Sequence, residues 1–108
     1  MIPRQGSDMK VRTKSKTLHL TLKKKWFDLI ASGEKKEEYR EIKPYWRTRL
    51  VGKRFDRIIF RNGYSKDSPT VVVELKEILT GLGVIEWGAP ESTSVFILRL
   101  GNIQRGKL

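Results

Sequence analysis

Leucines alternate with polar residues along Thr17–Leu22, which reads Thr-Leu-His-Leu-Thr-Leu, the period of a strand with one buried face. The period then changes. Trp26, Leu29 and Ile30 stand at i, i+3 and i+4 with Phe27 beside them, so Lys23–Ser32 is predicted as a short amphipathic helix with Gly33 as its C-cap. Lys35–Ile42 is largely polar and reads as a second strand. If it is regular, Glu37, Tyr39 and Glu41 share one face, and Glu38, Arg40 and Ile42 the other. Pro44–Leu50 reads as a loop or one helical turn. Phe55–Arg61 is an apolar strand, and Asn62-Gly63 and Asp67-Ser68-Pro69 are turn signals. Thr70–Leu79 is a valine-rich strand, Leu82–Pro90 a glycine-containing loop, and Ser94–Leu100 a buried strand.

About five closely spaced strands with one or two short helices predict an α+β, mainly β fold. So little helix between strands favours a mainly antiparallel, partly closed barrel over a βαβ arrangement. No repeat and no linker divides the chain, and 108 residues suffice for one domain with a modest core. That domain is expected over residues 17–104.

Charge adds a partner class. Lys and Arg number 23 against 12 Asp and Glu, a formal net charge of +11. The charge is concentrated: residues 1–25 carry Arg4, Lys10, Arg12, Lys14, Lys16, Lys23, Lys24 and Lys25 against Asp8 alone. Such a field attracts polyanions, and phosphate contacts made by Lys and Arg give salt-dependent binding. Residues 1–16 have almost no apolar positions, so they are expected to form a basic, flexible segment that grips phosphates rather than an amphipathic membrane helix. No apolar run approaches the ~18 residues of a membrane span, and no secretory h-region opens the sequence, so a cytoplasmic protein is expected. Cysteine is absent and His19 is the single histidine. That excludes a disulfide framework, a thiol nucleophile and a Cys- or multi-His zinc site, and neither a metal nor a cofactor is expected. Gly101–Lys107 spells G-x-x-x-x-G-K, but Leu108 follows where Ser or Thr is needed and no helix pattern comes after it.

The most informative stretch is Gly33-Glu34-Lys35-Lys36-Glu37-Glu38-Tyr39-Arg40. Gly33 ends a helix and frees the chain to turn. On a regular strand Lys35 and Glu37 share one face, Glu38 and Arg40 the other; a bulge near the start would bring Lys35 beside Glu38. A Lys, a Glu and an Arg gathered at a barrel mouth either hold one another in ion pairs or read a polar ligand. The cations suit phosphate or carbonyl oxygens and the carboxylate suits a base's exocyclic amine.

This stretch resembles the Gly-x-Lys-x-x-Glu-x-Arg signature of the ASCH domain family, a branch of the PUA-like superfamily; Gly33, Lys35, Glu38 and Arg40 match all four places. The upstream Leu20-Thr21-Leu22-Lys23, Trp26, Leu29 and Ile30 resemble the family's context too, so the resemblance covers residues 18–40. It implies a PUA-like pseudo-β-barrel of about five or six strands with one or two short flanking helices. It also implies a cleft beside the Gly-x-Lys segment that binds RNA or single-stranded nucleic acid. Some small members are hydrolases. The N4-acetylcytidine amidohydrolases use the motif Lys, a Thr three residues later and a distant Glu, whereas Glu38 stands at the place of that Thr here. Another small member is associated with ribonuclease activity. A metal-independent hydrolase acting on RNA or a modified nucleoside is therefore the alternative, with Lys35 and Glu38 as the reacting pair.

The expected nucleic-acid contacts are Lys23, Lys24, Lys35, Glu38, Arg40, Arg61 and Tyr64. Lys35 reads as a ligand-binding cation rather than a nucleophile, because Glu34, Glu37 and Glu38 surround it and favour its charged form. Glu38 accepts from a base amine, acts as a general base, or pairs with Arg40 or Lys35. Arg40 contacts ligand or pairs a carboxylate under the cleft. Lys23 and Lys24 form a cationic edge where strand meets helix, and Tyr64, in a turn after Arg61-Asn62-Gly63, is an exposed stacking platform. Trp26 reads as core, and His19 as a polar contact on the face opposite the leucines. Glu74, inside a valine-rich strand, either closes the cleft opposite Lys35 or points to solvent.

Overall fold

A computed structural model describes residues 16–104. Its elements are β1 (Thr17–Leu22), α1 (Lys24–Ala31), β2 (Glu37–Glu41), α2 (Pro44–Leu50), β3 (Arg57–Asn62), β4 (Thr70–Gly81), a one-turn 3-10 helix (Ile85–Trp87) and β5 (Val95–Gln104). The basic segment expected over residues 1–16 lies outside the described residues apart from Lys16.

The five strands form one sheet in the order β1-β3-β4-β5-β2. β1 runs parallel to β3 and the other three pairings are antiparallel. The parallel pair needs a long crossover, and α1, β2 and α2 supply it. The sheet curls into a half-barrel, as the mainly β, PUA-like expectation has it. Irregularities in the β4–β5 register between Val73 and Glu77 contribute to the curl, since an extra residue bends and twists a strand. Glu74 sits at this irregularity. It is exposed, and its Oε1 accepts the Asn102 N–H at 3.1 Å. Of the two readings of Glu74, the structure shows the outward one. Gly101 makes room for it, because a Cβ there would lie 2.3 Å from the carboxylate.

One apolar layer fills the concave side. Leu18, Leu20 and Leu22 of β1 meet Phe27 and Ile30 of α1 and the wholly buried Ile58 and Phe60 of β3, Val73 of β4 and Leu98 of β5. Full burial of side chains this size contributes roughly 1.5–3 kcal/mol each. Tyr39, Ala89, Val95 and Ile97 form a second, smaller cluster under the 3-10 turn.

Several boundaries differ from the sequence reading. α1 starts at Lys24, with Lys23 as its extended N-cap residue. Pro44–Leu50 is a full α-helix rather than a loop or single turn; Pro44 opens it where no N–H is needed. β2 starts at Glu37, so Lys35 precedes the strand instead of entering it. β4 and β5 run on to Gly81 and Gln104 because each supplies the other's ladder where β3 has ended.

Candidate functional site

The two edge strands face each other across the open side of the half-barrel, and the space between them is a cleft of about 620 Å³. One wall is His19–Lys23 of β1 and its exit, the other is Glu38–Arg40 of β2. Trp26 of α1, Tyr45 and Trp46 of α2, Tyr64 of the β3–β4 turn, and Trp87 and Gly88 of the 3-10 turn complete it.

The signature stretch builds the floor. Gly33 adopts φ +88°, a left-handed conformation that glycine takes without strain, just past the end of α1. This reversal lets the Lys35 N–H donate to the Leu29 carbonyl at 2.9 Å, which ties Lys35 to the end of the helix. The Lys36 carbonyl then accepts from Leu100 and starts the β2–β5 ladder. Between these two anchors the Lys35 side chain turns inward and is 2% exposed. Its Nζ donates to the Glu37 carbonyl at 2.5 Å and the Trp87 carbonyl at 2.8 Å, and lies 3.1 Å from Glu38 Oε1. All three N–H donors of the ammonium are thereby engaged. The rings of Tyr39 and Trp26 lie 4.8 and 5.4 Å from the same nitrogen. Burial strips water from the ammonium and lowers its pKa below the usual lysine value; Glu38 opposes that shift and Arg40 adds to it.

Glu38 links this buried cation to the cleft. Its second oxygen, Oε2, accepts from Arg40 Nη1. Arg40 also donates to the Tyr39 carbonyl at 2.7 Å, and its guanidinium lies 5.2 Å from the Trp46 ring. Lys35–Glu38–Arg40 is therefore a three-charge chain running from the interior to the cleft wall. The distant end is held by the 3-10 turn, whose Trp87 N–H donates to Val84 and Gly88 N–H to Ile85. Two glycines permit the close packing there. A Cβ at Gly83 would lie 2.5 Å from the Tyr39 ring, and one at Gly88 3.0 Å from Trp26.

Tyr39 ties the same turn to β2. Its hydroxyl donates to Glu37 Oε1 at 2.7 Å and accepts the Val84 N–H at 2.9 Å. Burial pushes the phenol above its ordinary pKa; the Val84 N–H opposes this and Glu37 reinforces it. The sign follows. An acid with a raised folded pKa contributes stability that is fully present below the unfolded value of about 10 and is lost as pH rises through the folded value. Urea unfolding of wild type and Tyr39→Phe should show a stability gap that shrinks above pH ~10; a gap that stays constant or widens there contradicts the assignment.

Of the other expected contacts, Lys23 and Tyr64 line the cleft, and Tyr64 is 90% exposed. Lys24 lies outside the lining and pairs with Asp28 at 2.6 Å. Arg61 also lies outside it and reaches the Ser65 carbonyl at 3.4 Å. Lys35 is beneath the lining, not in it. Trp26, read as core, both packs on the core and lines the cleft. Trp46, Tyr45 and Trp87, which by sequence are possible stacking platforms but read mostly as core, line the cleft. The sequence signal for the first two is the adjacent Tyr45-Trp46 pair after Pro44, which the helix start brings to the opening. Among the described residues, no three His, Asp or Glu side chains gather in a metal-holding group, and no helix is long and apolar enough to cross a membrane.

Comparison with known proteins identifies a family. The family model of the ASCH domain matches residues 20–94, which takes in the end of β1, both α-helices, the signature stretch and the 3-10 turn. No curated protein and no solved structure matched the chain.

Proposed function

The chain belongs to the ASCH domain family, a PUA-like family whose members are generally RNA-binding or hydrolase-like, and from that premise we propose that it is a module that reads a nucleotide of RNA or single-stranded nucleic acid in the cleft. The observation that carries this is the lining itself: Trp26, Tyr45, Trp46, Tyr64 and Trp87 surround a space that also holds Glu38, Arg40 and Lys23. Aromatic faces stack on any base, cations take phosphate or carbonyl oxygens, and a carboxylate takes an exocyclic amine. The cleft volume falls within the range of small-ligand sites. In this reading Lys35 acts from below, holding Glu38 and through it Arg40.

The hydrolase reading rests on the lowered pKa of Lys35 next to a carboxylate. Against it, the three N–H groups of Lys35 already have acceptors inside the protein, and the side chain is shut away from the cleft. A nucleophilic amine needs a free lone pair and access to substrate. Binding without turnover is the reading the geometry supports best.

The test is titration of short single-stranded RNA and DNA oligomers at two salt concentrations with wild type and Tyr64→Ala, followed by mass analysis of every oligomer. Tyr64 is so exposed that its loss leaves the fold intact. We expect salt-sensitive binding, about fivefold weaker in Tyr64→Ala, with all oligomers unaltered. Equal binding by both proteins would reduce the interaction to nonspecific charge. Oligomers altered by wild type would move the protein to the hydrolase class.

A further inference from the structure

A second hollow of about 500 Å³ adjoins the cleft, and the two share His19, Tyr45 and Trp46. These three side chains form a ridge between them. Beyond the ridge the hollow is bounded by Thr48, Arg49 and Lys53. The Arg49 guanidinium lies 4.1 Å from the centre of the Tyr45 ring, and Tyr45 remains 53% exposed. Tyr45 meets Trp46 edge to face, with centroids 4.9 Å apart and planes at 86°. Each ring therefore carries its own guanidinium: Arg40 by Trp46 in the cleft, Arg49 by Tyr45 toward the second hollow. Both Arg49 and Lys53 are exposed, and among the described residues neither is in an ion pair.

We propose that the second hollow takes the nucleotide next in line, so that the ligand of this site is a strand of at least two linked nucleotides and not a free nucleoside. The inference rests on the nucleotide reading of the cleft. One base lies in the cleft, the linking phosphate passes over the ridge, and the neighbouring base stacks on Tyr45 with its phosphate at Arg49 and Lys53. Two features argue for this over a merely basic surface. Arg49 stands against an exposed ring and Lys53 lines the same hollow, the combination that stacking and phosphate pairing together require. Among the described residues no carboxylate pairs with either cation, which favours an anion there.

The experiment is a length series: a nucleoside 5′-monophosphate, a dinucleotide and a tetranucleotide of one sequence, titrated into wild type, Tyr45→Ala, Arg49→Ala and Arg47→Ala. Arg47 is an exposed cation on the same helix that lines neither hollow, so it controls for plain charge. We expect wild type to gain about tenfold from mononucleotide to dinucleotide, the size of one stacking contact. Arg49→Ala should lose that gain while binding the mononucleotide as wild type does; Tyr45→Ala, which also borders the cleft, should lose the gain on top of a weaker mononucleotide affinity; and Arg47→Ala should keep it. If Tyr45→Ala and Arg49→Ala keep the gain, or lose no more than Arg47→Ala, the second subsite is wrong while the cleft reading stands. If wild type binds none of the series, both readings fall.

Discussion

Replacing Lys35 by methionine is expected to lower the stability of the fold by about 3 kcal/mol, the lower end of the cost of removing one partner of a buried ion pair. The loss would be seen as a shift of the urea midpoint. Methionine fills much of the space but leaves three acceptors without their donor: the Glu37 and Trp87 carbonyls and Glu38 Oε1. Glu38 is 6% exposed, so water cannot replace the ammonium, and only Arg40 still holds the carboxylate. A domain of this size has roughly 5–15 kcal/mol in total, so the variant would stay folded in buffer but be clearly weakened. Adding Glu38→Leu removes the stranded charge, and the double variant should recover part of the loss, the signature of two coupled residues. A Lys35→Met protein within about 0.5 kcal/mol of wild type, the scatter of neutral surface changes, would show that the ammonium does not organise this site.

The same pair has a pH dependence of defined sign. Burial lowers the folded-state pKa of Lys35 below its unfolded value of about 10.4. Between the two values the unfolded chain binds more protons, so stability rises with pH across that window and the benefit is lost as pH falls through the folded value. The gap between wild type and Lys35→Met should therefore grow toward alkaline pH, opposite to the trend at Tyr39. This does not conflict with the cost of losing Lys35 at neutral pH. Burying an ammonium is unfavourable compared with burying the neutral amine, but deleting it leaves a carboxylate and two carbonyls unpaired, which is worse. It follows that a loss of binding in any Lys35 variant reports on the floor of the cleft and not on a contact with ligand.

This division between contact and support is where the sequence was least legible. Alternation revealed β1 directly, since Leu18, Leu20 and Leu22 are buried and His19 is exposed. The 3.6-residue period revealed α1, and Gly33 marked its end. The spacing of Lys35 and Glu38 allowed the ion pair they form. What it could not convey was the direction in which Lys35 points. That depends on the Trp87 carbonyl, 52 residues away in sequence, and on two glycines that let the 3-10 turn approach Tyr39 and Trp26. Local charge pattern sees Glu34, Glu37 and Glu38 around Lys35; it does not see the lid that dries the site. The helix at Pro44–Leu50 was missed for a related reason. Its only buried residue is Leu50, so it has almost no apolar period to detect, and Tyr45 and Trp46 border the cleft instead.

Trp46→Ala and Lys23→Ala should weaken oligonucleotide binding in two different ways, and that difference is the sharpest test of how the cleft works. Trp46 offers a ring face beside Arg40, so its loss should remove a stacking contact of about 1–3 kcal/mol, up to a hundredfold in affinity. Stacking releases no counterions, so the slope of log affinity against log salt should stay as in wild type. Lys23, an exposed cation at the cleft edge, contacts phosphate in this reading. Its loss should flatten that slope by about 0.7 for a single strand, with an affinity change that fades at high salt. Trp46 also packs on the core, so Trp46→Ala carries a stability cost of its own. Trp46→Phe keeps a ring and should restore most of the binding if stacking is what was lost. The two effects should add in the double variant, because one acts through the base and the other through the backbone. If Trp46→Ala instead changes the salt slope, or if Lys23→Ala abolishes binding at every salt concentration, then the bases are not what the cleft holds and the aromatic lining belongs to the packing alone.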